Sequence, residues 1–522
     1  LQVDKAPGMD GFSNWELRHT PPQLLSFLHQ ILNAITRTGT WPTQLLHSRM
    51  TLLRKTEQYG DITSTRPITI LATIYRLWAK IQAKKIFQHI HRALPRRLFG
   101  SVPRRSALEM AALEQGCLEH SLINGGPMSG CSLDISKAYN TIPRPFLEMI
   151  SNRLGLRPVW RPYSSFLTQN KRYFVTDGFW SPPVESRVGV PEGCPLAVLQ
   201  MIFLTWSVMN RVQLALPQDA SFATYVDDWT IKHPDVPVTM EGLRLVQFHL
   251  KGLGMSLSTD KTKLFATTKL GRSDLRNAAV EAGMPGSCCC NFVGLGVDVQ
   301  TTMRTSAKTR EKRLKAAVPR LKKIQHLPWK RDRKVSVLRR SVLPFLLYGC
   351  QLQPTSNSHF KAIRARLNKA VWDKKQYVGH FLAPLLSSTV QYEPFLYVAT
   401  SRFRNLIPLV REFPFFQETW NAARMQRKPD GTIKQLGPMT IFMHQLEELG
   451  WELADDFQCS TPSGWDFNCF SVDIFIFDNM LQETWETYLL PRLRAKDATG
   501  DIRSFSITRS CLLYTSPSPR DL

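Results

Sequence analysis

Two adjacent carboxylates in the turn of a hairpin constrain this chain more than any other feature. Residues 221–232 read SFATYVDDWTIK. Phe222–Val226 and Trp229–Lys232 have the β-branched and aromatic composition of strands, and Asp227 and Asp228 fall in the turn between them. A third acid, Asp134, lies near the end of another strand-like run, Cys131–Ile135, which follows a Gly/Pro loop at residues 123–130. Taken singly, each Asp has an ordinary explanation, since Asp is a common turn residue and helix cap. Taken together, carboxylates at the ends of neighbouring strands make a rigid oxygen cage. Such a cage suits Mg²⁺, a hard ion usually held by one or two carboxylates plus phosphates and water. Two such ions can activate an attacking hydroxyl and stabilise the oxygen that leaves a phosphate.

The charge balance agrees with a phosphate-rich partner. The 522 residues hold 67 Lys and Arg against 42 Asp and Glu, a formal charge of +25. A surplus of this size points to a polyanion, nucleic acid first and an anionic membrane surface second. It is concentrated in residues 304–340, with fifteen basic side chains against two acids. Leu314, Val318, Leu321 and Ile324 there keep helical spacing, which predicts an amphipathic helix with a basic outer face. Trp329, among Lys330, Arg331 and Arg333, is a candidate for stacking on a base, although such a Trp is more often core.

Other classes find no support. The apolar stretch Leu196–Met209 falls short of the ~20 residues a bilayer needs, and no secretory signal opens the chain. The expectation is an intracellular protein of nucleus or cytoplasm, with no membrane partner. Ten cysteines contain no C-x-x-C pair, so a structural zinc site has no motif. The triplet Cys288–Cys290 is expected to be buried packing. GLG at 294–296 lacks the third glycine of a dinucleotide fold, and no P-loop or H-E-x-x-H occurs.

Length predicts two to four domains. Pro22–Thr36 and Ile74–His91 read as helices, 96–105 as a basic turn region, and 186–210 as a Gly/Pro-rich loop running into an apolar helix. Residues 291–299 read as a strand pair. Beyond about 380 the chain is aromatic-rich and carries no motif. Position 1 is Leu, so the chain is expected to be a fragment, and Ser510–Leu522 is expected to lie outside the fold.

Several words occur in one order: KAPGMDGF (5–12), RPITILATIYRLWAKI (66–81), SLDISKAYNTI (132–142), GVPEGCPLAV (189–198), TYVDDW (224–229), LSTDKTKLF (257–265), FVGLGV (292–297) and LLYG (346–349). In order and spacing they resemble the finger, palm and thumb motifs of reverse transcriptases of the non-LTR retrotransposon type, over roughly residues 1–375. The resemblance implies an α+β right-hand polymerase. Its fingers would be residues 1–125 with part of the palm-motif connection, its palm an antiparallel sheet in 126–300, and its thumb a basic helical segment at 301–380. Residues 381–509 would be a region of unknown role.

The resemblance also implies roles. Asp134, Asp227 and Asp228 would be the catalytic carboxylates, holding two Mg²⁺ ions (Mn²⁺ as substitute) with the Ile135 carbonyl as a further ligand. Tyr139 would reject a ribose 2′-hydroxyl. Glu192 and Gly193 would lie beside the incoming nucleotide, where glycine permits close approach. Lys261 would protonate the leaving pyrophosphate, with Lys263 as its rival, and Lys55 and Arg66 would hold the triphosphate. The implied partners are an RNA template, a DNA primer or duplex, and dNTPs. Two positions depart from the family pattern. Its second palm motif usually has Gln where this chain has Glu192, and its first often has a second Asp where this chain has Asn140. A carboxylate at 192 removes an amide donor and adds negative charge beside the nucleotide. The rival readings are an RNA-dependent RNA polymerase, a group II intron-type reverse transcriptase, and a decayed relative that only binds RNA.

Overall fold

The computed structural model describes residues 5–54, 65–176, 178–303, 306–371, 393–489 and 491. Lys55 lies outside the described residues, as does the segment 510–522. The chain forms two compact units. The first comprises Leu1–Ser106, Gly130–Leu264 and Leu275–Ser287, and the second Ala107–Ser129, Phe265–Asp274 and Cys288–Leu522. The helix Ala107–Asn124, expected with the fingers, therefore clusters with the second unit.

The first unit is α+β. Pro22–Thr38 forms a helix that starts on Pro at its first position and stops at Gly39, in left-handed backbone at φ 75°. A second helix spans Thr73–Ile90. Both match their expected positions. The strands are β1 (His47–Arg54), β2 (Thr65–Ile70), β3 (Ser129–Asp134), β4 (Lys171–Thr176), β5 (Phe179–Trp180), β6 (Ser221–Tyr225), β7 (Asp228–His233), β8 (Lys263–Ala266) and β9 (Ser287–Cys288). One sheet has the order β2-β1-β4-β5, and its strands β1 and β2 fall in residues 1–125, where the sequence marked only helices and a turn region. In it β1 pairs antiparallel with β2 and parallel with β4. The aromatic rings of Trp41, Tyr75, Trp78 and Phe166 pack together in the same unit, Tyr75 stacked on Phe166 at 3.7 Å between centroids.

The other sheet has the order β6-β7-β3-β8-β9. β6 and β7 are an antiparallel hairpin with Tyr225 opposite Asp228. The turn is Val226–Asp227, so Asp228 opens the second strand instead of sitting in the turn. The helix Pro195–Ala215 is buried around most of its surface, as expected of a run with few polar residues.

The second unit is mostly helical. A hairpin, Asn291–Gly294 with Val297–Gln300, matches its expected place. The basic segment is not one helix: Lys308–Gln325 ends, and a new helix starts at Arg331. Pro328 disfavours helical backbone at Leu327 and breaks the run. Trp329 is half-buried under the Arg333 guanidinium, 4.5 Å from its ring centre. The cysteine triplet is not buried packing either, because it falls on a short strand and the bend after it: Cys288 and Cys289 are partly exposed and Cys290 exposed. Among the described residues no helix is long and apolar enough to cross a membrane.

Candidate active site

The first unit brings the three carboxylates to one end of its sheet, because β7 lies between β6 and β3. Asp134 ends β3, and the adjoining Ile135 donates its N–H to the Asp227 carbonyl at 3.3 Å. A neighbouring segment is stitched along the same edge. Ser136 N donates to Ser256 O at 2.9 Å, Ser258 N donates to Asp134 O at 2.8 Å, and Ile135 is bridged to Leu257. This stitching delivers Lys261, whose Nζ donates to both Asp134 carboxylate oxygens at 3.0 Å. Lys263, the rival, points elsewhere, to Asp260 O at 2.6 Å and Ser287 Oγ at 3.1 Å.

The electrostatics record a concentration of negative charge. Burial, then repulsion from Asp227 and Asp134, raises the Asp228 carboxyl to about 6. Burial also raises Asp227, with Asp134 adding to the rise while Lys261 and Arg66 oppose it. Arg66 thus acts on the site electrostatically from β2, as an exposed side chain. Burial first, then the Asp227 and Glu192 charges, pushes the Tyr139 hydroxyl well up. Among the described residues, no group of three or more His, Cys, Asp or Glu side chains stands ready to hold a metal ion. The Asp134 carboxylate faces the Lys261 ammonium instead.

The turn between the acids is strained. Val226, a β-branched residue, sits at φ 57°, where such side chains pay a steric cost of about 1–3 kcal/mol. Its carbonyl accepts from Trp229 Nε1 at 2.8 Å and from Thr205 Oγ1 at 3.4 Å. Trp229 is completely buried and fixes that carbonyl from below. Sequence reading missed a third support. Residues 97–100, expected to be a basic turn, run beside β6: Thr224 N donates to Arg97 O at 2.9 Å and Phe99 N to Thr224 O at 2.8 Å. A Cβ on Gly100 would collide with the Val226 nitrogen and lie 2.8 Å from the Tyr225 carbonyl carbon. The glycine in LFGS (98–101) was the available signal.

The loop before helix Pro195–Ala215 carries Glu192 and Gly193. Gly193 adopts φ 100°, which other residues rarely do, and a Cβ there would press on Thr69 O at 3.0 Å. Thr69 N in turn donates to Glu192 O at 3.1 Å. The Glu192 side chain accepts from Asn140 Nδ2 at 3.3 Å. Tyr139 precedes Asn140 on the short helix Ala138–Thr141, and its carbonyl accepts from Val190 N at 2.7 Å. The structure therefore gathers Asp134, Ile135, Tyr139, Glu192, Asp227, Asp228 and Lys261 on linked elements, with Arg66 and Gly193 at their margin.

Residues 53–297 match the family model for Reverse transcriptase (RNA-dependent DNA polymerase). The chain is 23% identical over 410 residues to the probable RNA-directed DNA polymerase from transposon BS of Drosophila melanogaster, covering 72% of this chain and 44% of that one. It is 24% identical over 388 residues to the retrovirus-related Pol polyprotein from type-1 retrotransposable element R2 of Popillia japonica, covering 66% and 49%. The chain thus spans less than half the length of these relatives. A solved structure of telomerase from Candida albicans matches with a TM-score of 0.39 and 12% identity, over 76% of this chain and 68% of that one.

Proposed function

We propose that this protein is a reverse transcriptase of the non-LTR retrotransposon type that extends a 3′-hydroxyl DNA primer with dNTPs on an RNA template; the match of residues 53–297 to the reverse transcriptase family model and the similarity to the proteins of transposon BS and retrotransposable element R2 support it. The observation that carries the proposal is the convergence of Asp134 and the Asp227–Asp228 pair at one end of a sheet, where the Asp134 charge raises both carboxyls of the pair and Asp227 also raises Asp228.

That mutual repulsion is the fit test for a divalent ion. Like charges this close favour a bound cation, and all the donors are hard oxygens suited to Mg²⁺ or Mn²⁺. Asp134, Asp227, Asp228 and the Ile135 carbonyl would hold two ions. When bound, the ions would activate the primer hydroxyl and stabilise the oxygen that leaves with pyrophosphate. The chain's own groups do the rest. Lys261 pairs with both carboxylate oxygens of Asp134. Released from the carboxylate, it would be free to hand its Nζ proton to the departing pyrophosphate. Tyr139 would stand beside the sugar and exclude a 2′-hydroxyl by bulk. Arg66, and Lys55 from its sequence position, would neutralise the triphosphate.

Primer extension on an RNA template with Mg²⁺ tests this. The purified chain should make product, and Asp227→Asn with Asp228→Asn should fall to background. Equal product from both would sink the catalytic assignment, and none from either would leave an RNA-binding protein. Tyr139→Ala separates the DNA-polymerase from the RNA-polymerase reading. It should admit rNTPs at least tenfold better than the parent, and unchanged discrimination would remove the steric role.

A further inference from the structure

We propose that a small inorganic anion binds between Arg144 and Arg172, behind the loop that carries Glu192 and Gly193. Arg172 projects from β4 and is only 6% exposed. Its Nε and Nη2 are closed off from solvent and have no hydrogen-bond partner among the described residues. Arg144, at the start of the helix Arg144–Arg153, spends its Nε on Gly189 O at 3.0 Å. Its Nη2 is likewise buried and unpartnered. The two guanidiniums are close enough that Arg144 repels the charge on Arg172.

Donors without acceptors could be met by water, but charge could not. Buried charges are ordinarily paired, and an ion taken from water without a counter-ion costs several kcal/mol even after relaxation. Among the described residues no carboxylate acts on either arginine; the groups that do are Tyr163, Tyr75 and Cys194. The two tyrosines are completely buried. Cys194 caps the helix Pro195–Ala215 and shares a 3.0 Å contact with the Tyr75 hydroxyl. Burial holds its thiol above the ordinary value, so the sulfur stays protonated and supplies no negative charge at neutral pH. The cluster is therefore a pair of cations ringed by hydroxyl and thiol donors, with no carboxylate among the described residues to balance them. An inorganic anion, chloride or phosphate, meets every unmet donor. Because Arg144 also grips Gly189, the anion would stiffen the loop leading to Gly193 from behind, outside the groups assigned to catalysis.

Thermal unfolding of the full chain tests this, with chloride or phosphate replacing gluconate at constant ionic strength. The parent should show a saturable rise of a few degrees with at least one of the two ions. Arg172→Met should be flat over the same titration, and Cys194→Ser should keep the response. If Arg172→Met does not fold, Arg144→Met, whose side chain is less deeply buried, takes its place. A bromide-soaked crystal should give an anomalous peak between the two guanidiniums if the ion is a halide. An equal rise in parent and arginine variant reduces the effect to bulk salt and overturns the site. Absence of any response in the parent overturns it too. So does a thiolate absorbance band that vanishes in Cys194→Ser, since the cysteine would then carry the charge.

Discussion

Asn140 and Glu192 stand 52 residues apart and share one hydrogen bond. They are also the two positions where the palm motifs depart from the family pattern of Asp and Gln. An Asp–Gln pair has one carboxylate acceptor and one amide donor, and so does Asn–Glu, with the roles exchanged. Net charge and hydrogen-bond count are kept, and the negative charge moves from the first palm motif to the second. A loss of function argued from Glu192 alone misses this compensation. Asn140→Asp by itself would face two carboxylates across hydrogen-bonding distance, which forces one to protonate or both to part. It should cut dNTP incorporation tenfold or more. Glu192→Gln by itself leaves two amides that still bond and should cost less. The double variant should recover most of the activity, with a coupling of about 1–2 kcal/mol in a double-mutant cycle. Additive losses in steady-state primer extension would refute the pairing. The carboxylates were legible in the sequence because each sits in a contiguous word. The pairing was not, because nothing local links residue 140 to residue 192.

Among elements, the hairpin β6–β7 depends on a segment that carries none of its chemistry. Residues 97–100 run alongside β6 and pass so close to Val226 that only glycine fits at position 100. Gly100→Ala must push the turn or its neighbour aside. Overpacking of this kind costs about 1–3 kcal/mol, and here it also displaces Asp227 relative to Asp134. Denaturant unfolding should show a stability loss in that range and primer extension a larger fractional loss of rate. Parental values in both would show that the backbone accommodates a methyl. The helices of this unit were readable because Pro22 and Gly39 punctuate one of them and apolar periodicity marks the other. The strands β1 and β2 were not. β1 buries Ser48 and Met50 toward the interior, and the inward serine, bonded to Asn170 Oδ1 at 2.8 Å, hides the alternation of a strand. Its parallel partner β4 lies more than a hundred residues away in sequence, and no window of local sequence encodes that pairing.

At the scale of the molecule, the motif-free stretch after residue 392 is joined into the second unit by buried polar hubs. Arg402 reaches the carbonyls of Cys350 at 2.7 Å, Gln351 at 3.1 Å and Gln353 at 3.2 Å, which follow the LLYG word, and donates to Gln445 Oε1 at 2.5 Å. Glu119, fully buried on the helix Ala107–Asn124, caps the helix Pro438–Glu448 from 320 residues away: its oxygens accept from Met439 N at 3.0 Å and Thr440 N at 2.7 Å. Such contacts leave no periodicity to read, because their partners are carbonyls and helix ends instead of side-chain words. Glu119 makes the unit's stability depend on pH. Burial raises its carboxyl to about 7, against the pull of the Thr440, Met439 and Gly437 donors. A carboxyl whose folded value exceeds its unfolded value of 4.5 binds more protons when folded. Its contribution is fully present below pH 4.5 and is lost as pH rises through 7. The loss is on the order of 3 kcal/mol if this group acts alone. Glu119→Gln keeps the shape and one acceptor but cannot ionise, so its urea midpoint should fall less between pH 5 and 7.5 than the parent's. Parallel pH profiles for the two proteins would show that Glu119 is ionised throughout, held by the helix N-terminus it caps, and that burial does not govern it.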